Sequence, residues 1–228
     1  MVVSADYLER GLAAQSLHST IKPTAARDTA VMLASLAAVE QASAQAGSVL
    51  SGVADPSQVA AAGHSYGGQT AFDALRAPGV TTAIGWAPVG PKGTPSSKPV
   101  MLIGSEGDTV IVPSRVRSEY AAFTGPKVLV EISGEGHNAY TDICVGLRSG
   151  GGLISYAIDN HLVKASVARL GLNGCLPTDP PPDRFWPIVQ YYTVLQLHQQ
   201  FHGSPGDMVP APAPGQFPGY TVTVRQAP

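Results

Sequence analysis

The sequence predicts an α/β fold, a mostly parallel sheet flanked by helices, and three observations predict it. Short apolar runs of strand length alternate with segments of helical spacing, which is the pattern of a parallel sheet with crossover helices. The run at residues 100–104 is apolar throughout, and that at 127–132 is apolar apart from Lys127 and Glu131, as buried strands are. Finally, a serine fenced by glycines, Gly63-His64-Ser65-Tyr66-Gly67-Gly68, stands where one apolar run gives way to a helical pattern.

Taken in chain order, residues 1–5 are expected to end a buried strand. Residues 25–45 carry Val31, Leu33, Leu36, Ala37 and Val39 at the spacing of an amphipathic helix, and the stretch from Gly47 to Gly52 breaks it. Residues 59–63 form a strand entering the serine turn. A helix follows to about residue 77, where Pro78-Gly79 stops it ahead of another strand at 81–86. After a Pro- and Gly-rich loop, strand 100–104, helix 114–123 and strand 127–132 complete the alternation. Glycine-rich loops around Gly150-Gly151-Gly152 and helical patches at 153–169 and 188–200 are expected to pack outside the sheet. Residues 1–202 read as one domain and residues 203–228 as a Pro/Gly-rich tail. In that tail, Tyr220-Thr221-Val222-Thr223-Val224 suits either an edge strand or an unpacked end.

Composition narrows the function. The chain has 228 residues, 44% of them hydrophobic, enough for one domain with a substantial core. A formal net charge of −2 leaves no electrostatic footprint for nucleic acid or for an anionic membrane surface. The apolar stretch at residues 30–39 is followed by Glu40 and Gln41 and is too short to span a membrane. The opening residues show no signal peptide, which taken alone argues for the cytoplasm.

The serine turn carries the chemistry. A strand that reverses into a helix holds the residue at the bend in strained backbone angles, so Gly63 and Gly67 are read as the small neighbours the bend requires. The bend lifts the Ser65 hydroxyl above the sheet edge and turns the Tyr66 N–H to the same space, a donor for an oxyanion. A serine hydroxyl needs a histidine to take its proton and a carboxylate to orient that histidine. In a parallel sheet such groups lie just past the carboxyl ends of strands. Strand 100–104 leads to Ser105-Glu106-Gly107-Asp108, and strand 127–132 leads to Gly136-His137. Asp108 is preferred as the acid, Glu106 being its rival, and Asp108 also suits capping of its own turn. His64 is expected to pack or hydrogen-bond beneath the bend, and His18, His161, His198 and His202 lack strand-end placement. No metal or cofactor is expected, since neither the two cysteines nor the histidines have metal-ligand spacing. Tyr66 and Trp86 either wall the substrate site or, for Trp86, belong to the core.

The order Ser65, Asp108, His137 follows the α/β-hydrolase arrangement. On Gly-His-Ser-Tyr-Gly-Gly, the Gly-x-x-x-Asp-x-x-x-x-Pro stretch from Gly104 to Pro113, and Gly136-His137, residues 2–200 resemble the α/β-hydrolase superfamily. They are most similar to the dienelactone hydrolase, platelet-activating-factor acetylhydrolase and cutinase-like polyester hydrolase group. The resemblance implies that Ser65 attacks an ester carbonyl, His137 relays the proton and Asp108 orients His137. It implies a small-molecule or polymeric ester substrate. It also implies a core lacking its first strands, because the loop that brings the second oxyanion donor in that superfamily would precede Met1; either the chain is N-terminally incomplete or an unrelated segment substitutes for that loop. The competing functions are a serine peptidase on the same fold and a catalytically impaired binding scaffold with half an oxyanion hole.

Cys144 and Cys175 admit two states from composition alone, free buried thiols or a disulfide. The disulfide is expected, because Cys144 lies seven residues past His137 and Cys175 follows a helix-ending Gly171-Leu172-Asn173-Gly174 loop. Resemblance to a group with many exported members supports it and favours a secreted protein.

Overall fold

In the computed structural model of the chain, residues 1–7, 10, 20, 22–145, 152–163, 165–203 and 207–228 are described. His18 and the first two glycines of the 150–152 run lie outside them. The described helices and strands run α1 (Ala25–Ala44), β1 (Val59–His64), α2 (Tyr66–Ala74), β2 (Val80–Trp86), β3 (Val100–Ser105), α3 (Pro113–Ala122), β4 (Lys127–Ile132), α4 (Gly152–Asp159), α5 (Ala165–Leu172), α6 (Trp186–His202) and β5 (Val222–Ala227).

The sheet has the order β1-β2-β3-β4-β5, with the first four strands parallel and β5 antiparallel to β4. Register aligns the strand ends: His64 pairs with Trp86, Trp86 with Ile103, and Ser105 with Ile132. The loops after β1, β2, β3 and β4 therefore leave one edge of the sheet together, the edge on which parallel sheets build their sites.

Period-2 alternation sends side chains to two cores. Leu102 and Leu129 face Phe72 of α2, Leu75 just past its end, Val116 of α3 and Phe123, with Met32, Leu33 and Leu36 of α1 packed against them. Met101, Ile103, Val128 and Val130 face the other way, onto Phe185 and onto Ile188, Val189 and Tyr192 of α6. Every residue of β3 is buried, which explains its unbroken apolar reading. Each such Leu or Ile contributes about 1.5–3 kcal/mol by leaving water.

Several expectations shift. Helix α1 is capped by Thr24, whose hydroxyl accepts from Arg27 N at 3.3 Å. It presents Met32, Leu33 and Leu36 inward, while Val31 is exposed. Helix α2 ends at Ala74, three residues early, and the patch at 153–169 is two helices, with His161 at φ +54 between them. Residues 1–5 are not the end of a buried strand: they carry no regular structure, and Val2 and Val3 are exposed. Their composition suits a strand, but no ladder joins them to the sheet, and pairing rather than propensity makes a strand. In the tail, β5 pairs along the whole of β4, from Lys127 with Ala227 to Ile132 with Val222, and is an edge strand.

Candidate functional site

Ser65 sits between β1 and α2 at φ 57°, ψ −118°, a backbone conformation that costs a non-glycine residue about 1–3 kcal/mol. The bend is bolted to β2 and its loop: Ser65 N donates to Trp86 O at 2.9 Å, and Ser65 O accepts from Gly68 N and Val89 N, each at 3.0 Å. The glycines divide the work unequally. A Cβ on Gly63 would collide with the Gly67 carbonyl, and one on Gly68 would lie 2.6 Å from Pro88 Cβ, whereas one on Gly67 would meet nothing within 4 Å. The expectation that both Gly63 and Gly67 are needed for lack of bulk is thus corrected. Gly67 brings its backbone close, and Gly63 makes room for it.

The loops after β3 and β4 bring Asp108 and His137 to this bend, and both are buried. His137 Nδ1 lies 2.7 Å from Asp108 Oδ2, and His137 Nε2 lies 2.9 Å from Ser65 Oγ. These partners fix the tautomer: Nδ1–H donates to the Asp108 carboxylate, leaving Nε2 to accept from the Ser65 hydroxyl. Asp108 Oδ1 accepts from Val110 N at 2.8 Å and Ile111 N at 2.7 Å. The aspartate therefore caps its own turn with one oxygen and holds the histidine with the other. Glu106 is directed elsewhere, pairing with Arg117 at 2.8 Å. A hydroxyl, an imidazole and a carboxylate in this order can pass a proton from oxygen to nitrogen while the carboxylate stabilises the imidazolium.

His64 anchors the base loop from below. Its Nε2 lies 2.8 Å from the His137 carbonyl and donates to it, and its ring lies 4.5 Å from that of His137 and stacks on Tyr140 at 5.5 Å. Burial first, and the neighbouring His137 second, push its pKa down to about 4. Tyr140 is held well above the ordinary tyrosine value, chiefly by burial.

Tyr66 begins α2, so its N–H has no intrahelical carbonyl to bond. Its ring is exposed and lies under the Arg10 guanidinium, 4.9 Å from the ring centre, while Arg10 Nε bonds Asp28 at 2.7 Å. Trp86 packs against the α6 core and donates from Nε1 to Thr193 Oγ at 3.1 Å. It also lines a cleft of about 410 Å³ with Tyr140, Trp186, Val189 and Val194.

Cys144 and Cys175 form a disulfide with Cα atoms 4.7 Å apart. It fits an oxidising compartment. Among the described residues no helix is long and apolar enough to cross a membrane. The sequence carries no local signal for Asn173, which contacts the loops of both Asp108 and His137, nor for Arg10.

Sheet order, elbow and strand-end loops define an α/β-hydrolase-like fold. A solved structure that shares it is the ferulic acid esterase from Streptomyces cinnamoneus, at 20% identity and a TM-score of 0.58, with 87% of this chain and 54% of that one covered. The chain spans about half the length of that protein, and at such identity the likeness is one of fold. No family model and no curated protein matches the sequence.

Proposed function

We propose that the chain is a serine carboxylic-ester hydrolase working through an acyl-enzyme. The observation that carries this reading is the continuous hydrogen-bonded series Asp108, His137, Ser65, set at a strained strand-to-helix bend. His137 Nε2 takes the Ser65 proton as Oγ attacks the ester carbonyl, and the Tyr66 N–H receives the developing oxyanion. The alcohol departs with the proton from His137. Water, deprotonated by the same nitrogen, then attacks the acyl group and returns Ser65. The Trp86 cleft and the exposed Tyr66 ring supply apolar surface for the ester. Residues 1–202 carry this chemistry, and residues 203–228 close the sheet through β5. The disulfide favours export.

Hydrolysis of p-nitrophenyl butyrate by the chain, measured beside Ser65→Ala, tests the reading. Loss of ~10⁴–10⁶-fold in kcat is expected in the variant. Equal rates in the two proteins would overturn it.

A further inference from the structure

The acid and the base sit on different loops, and nothing in the Asp108–His137 hydrogen bond fixes the spacing of those loops. Ser105 Oγ donates to Glu135 O at 2.5 Å and Gly107 packs against the Gly134 and Glu135 backbone, and a further tie, the Asn173 side chain, joins the loops at Asp108 and His137 themselves. Asn173 Oδ1 accepts from His137 N at 2.8 Å and from Thr109 N at 3.0 Å, while Asn173 Nδ2 donates to Gly107 O at 3.2 Å. A single amide thus grips the backbone on both sides of Asp108 and the backbone of His137 itself. Its orientation is unambiguous, because two N–H groups demand the oxygen and a carbonyl demands the nitrogen.

The segment carrying Asn173 is itself fastened to the base loop. Asn138 N donates to Asn173 O at 2.9 Å, and Asn138 Nδ2 donates to Leu170 O at 2.7 Å and to Asn173 O at 3.2 Å. Gly174 turns the chain at φ +91°, the left-handed conformation open to glycine. There its backbone lies against Gly136 so closely that a Cβ on Gly136 would sit 2.6 Å from Gly174 Cα. The next residue, Cys175, is bonded to Cys144 just past the base loop.

We infer that Asn173 is a positioning residue that helps set the distance between the acid and base loops, and that the Cys144–Cys175 disulfide holds it there. The inference rests on the hydrolase reading for its catalytic consequence but not for its geometry. Misplacement of a reacting group by about 1 Å costs ~10²-fold in rate, so a small relaxation of this amide is visible in turnover without loss of the fold.

Two readouts test it on the full chain. With p-nitrophenyl butyrate, Asn173→Ala is expected to lower kcat ~10–100-fold with KM unchanged. Asn173→Asp, which keeps the acceptor for His137 N and Thr109 N, should recover most of the loss. The downfield proton resonance of the His137 Nδ1–H···Asp108 bond should broaden or exchange faster in Asn173→Ala and persist in Asn173→Asp. Reducing the disulfide in the unsubstituted chain should lower kcat and broaden the same resonance, and should change Asn173→Ala little further. An unchanged resonance and kcat in Asn173→Ala would overturn the positioning role. Unchanged values on reduction would overturn the part given to the disulfide. If the unsubstituted chain turned over no ester, the hydrolase reading would fall, and the resonance comparison would still decide the clamp.

Discussion

The two halves of the site are held by different means. On one side, Asp108 and His137 are buried and fixed by at least one hydrogen bond each to side chain and backbone, with an aromatic file of His64, Tyr140 and Phe185 beneath and a disulfide behind. On the other side stand the elbow and Tyr66, whose ring is exposed under Arg10. The bend is positioned chiefly by backbone, through Trp86 O, Val89 N and the close approach of Gly63 and Gly67, with Gly68 packed on Pro88 and Gln69 Nε2 donating to Gly90 O. The loops that carry Asp108 and His137 are therefore held largely by side-chain contacts, each of which a substitution can remove, whereas the bend at Ser65 depends chiefly on backbone contacts that no side-chain change can replace.

The largest expected effect removes the relay without touching its frame. Asp108→Asn is isosteric but cannot hold the Nδ1 proton as an anion does, and kcat for p-nitrophenyl butyrate should fall ~10⁴-fold. Glu106→Gln, whose partner is an exposed arginine, should leave kcat within about 2-fold, as surface ion pairs contribute little. A large loss in Glu106→Gln together with a small one in Asp108→Asn would move the acid to the other carboxylate.

Stability separates the halves next. The disulfide closes a sequence separation of 31 residues, and on the chain-entropy model its reduction should cost about 3.5–4 kcal/mol. Thermal unfolding with and without reductant measures this, and an unchanged Tm would show that the hydrogen bonds to Asn173 and the glycine packing suffice. On the nucleophile side, Gly63→Ala should cost about 3 kcal/mol, since the added methyl meets backbone that cannot rotate away. Gly67→Ala has open space and should be neutral or stabilise by up to about 1 kcal/mol through helix propensity. Equal denaturation midpoints for the two variants would contradict the unequal division of labour at the elbow.

What the sequence made legible follows the same division. Strand β3 was readable because burial on both faces writes an uninterrupted apolar run, β1, β2 and β4 because their short runs are rich in small and β-branched residues, and the elbow because steric crowding writes glycine. The acid and base could be placed because strand ends in a parallel sheet share an edge. Contacts that depend on chain packing left no local mark. Asn173 lies 36 residues beyond His137, Arg10 reaches Tyr66 from a distant segment, and the fate of residues 1–5 turned on pairing and not on composition. His64 was half legible: a tight bend turns it away from Ser65, but nothing in the sequence says that it meets the His137 carbonyl.

The smallest effect concerns that histidine and the acid range. His64 is neutral in the native protein down to about pH 4, because burial opposes its charge and His137 adds to that opposition. In the unfolded chain it titrates near 6.5, so between these values the unfolded state binds the extra proton and native stability falls as pH falls. The contribution is complete above about pH 6.5 and is lost on the way to pH 4. With allowance for its partial exposure, about 1–2 kcal/mol should disappear between pH 8 and pH 5. His64→Gln keeps an amide donor that can reach the His137 carbonyl and cannot be protonated in this range. It should therefore lose less stability than the unsubstituted chain over that interval, while turnover at pH 8 stays close to normal. Guanidinium midpoints at the two pH values, taken for both proteins, give the difference directly and cancel the groups they share. If the two proteins lost the same amount, the acid sensitivity would belong to other groups, and His64 would be no more than packing beneath the elbow.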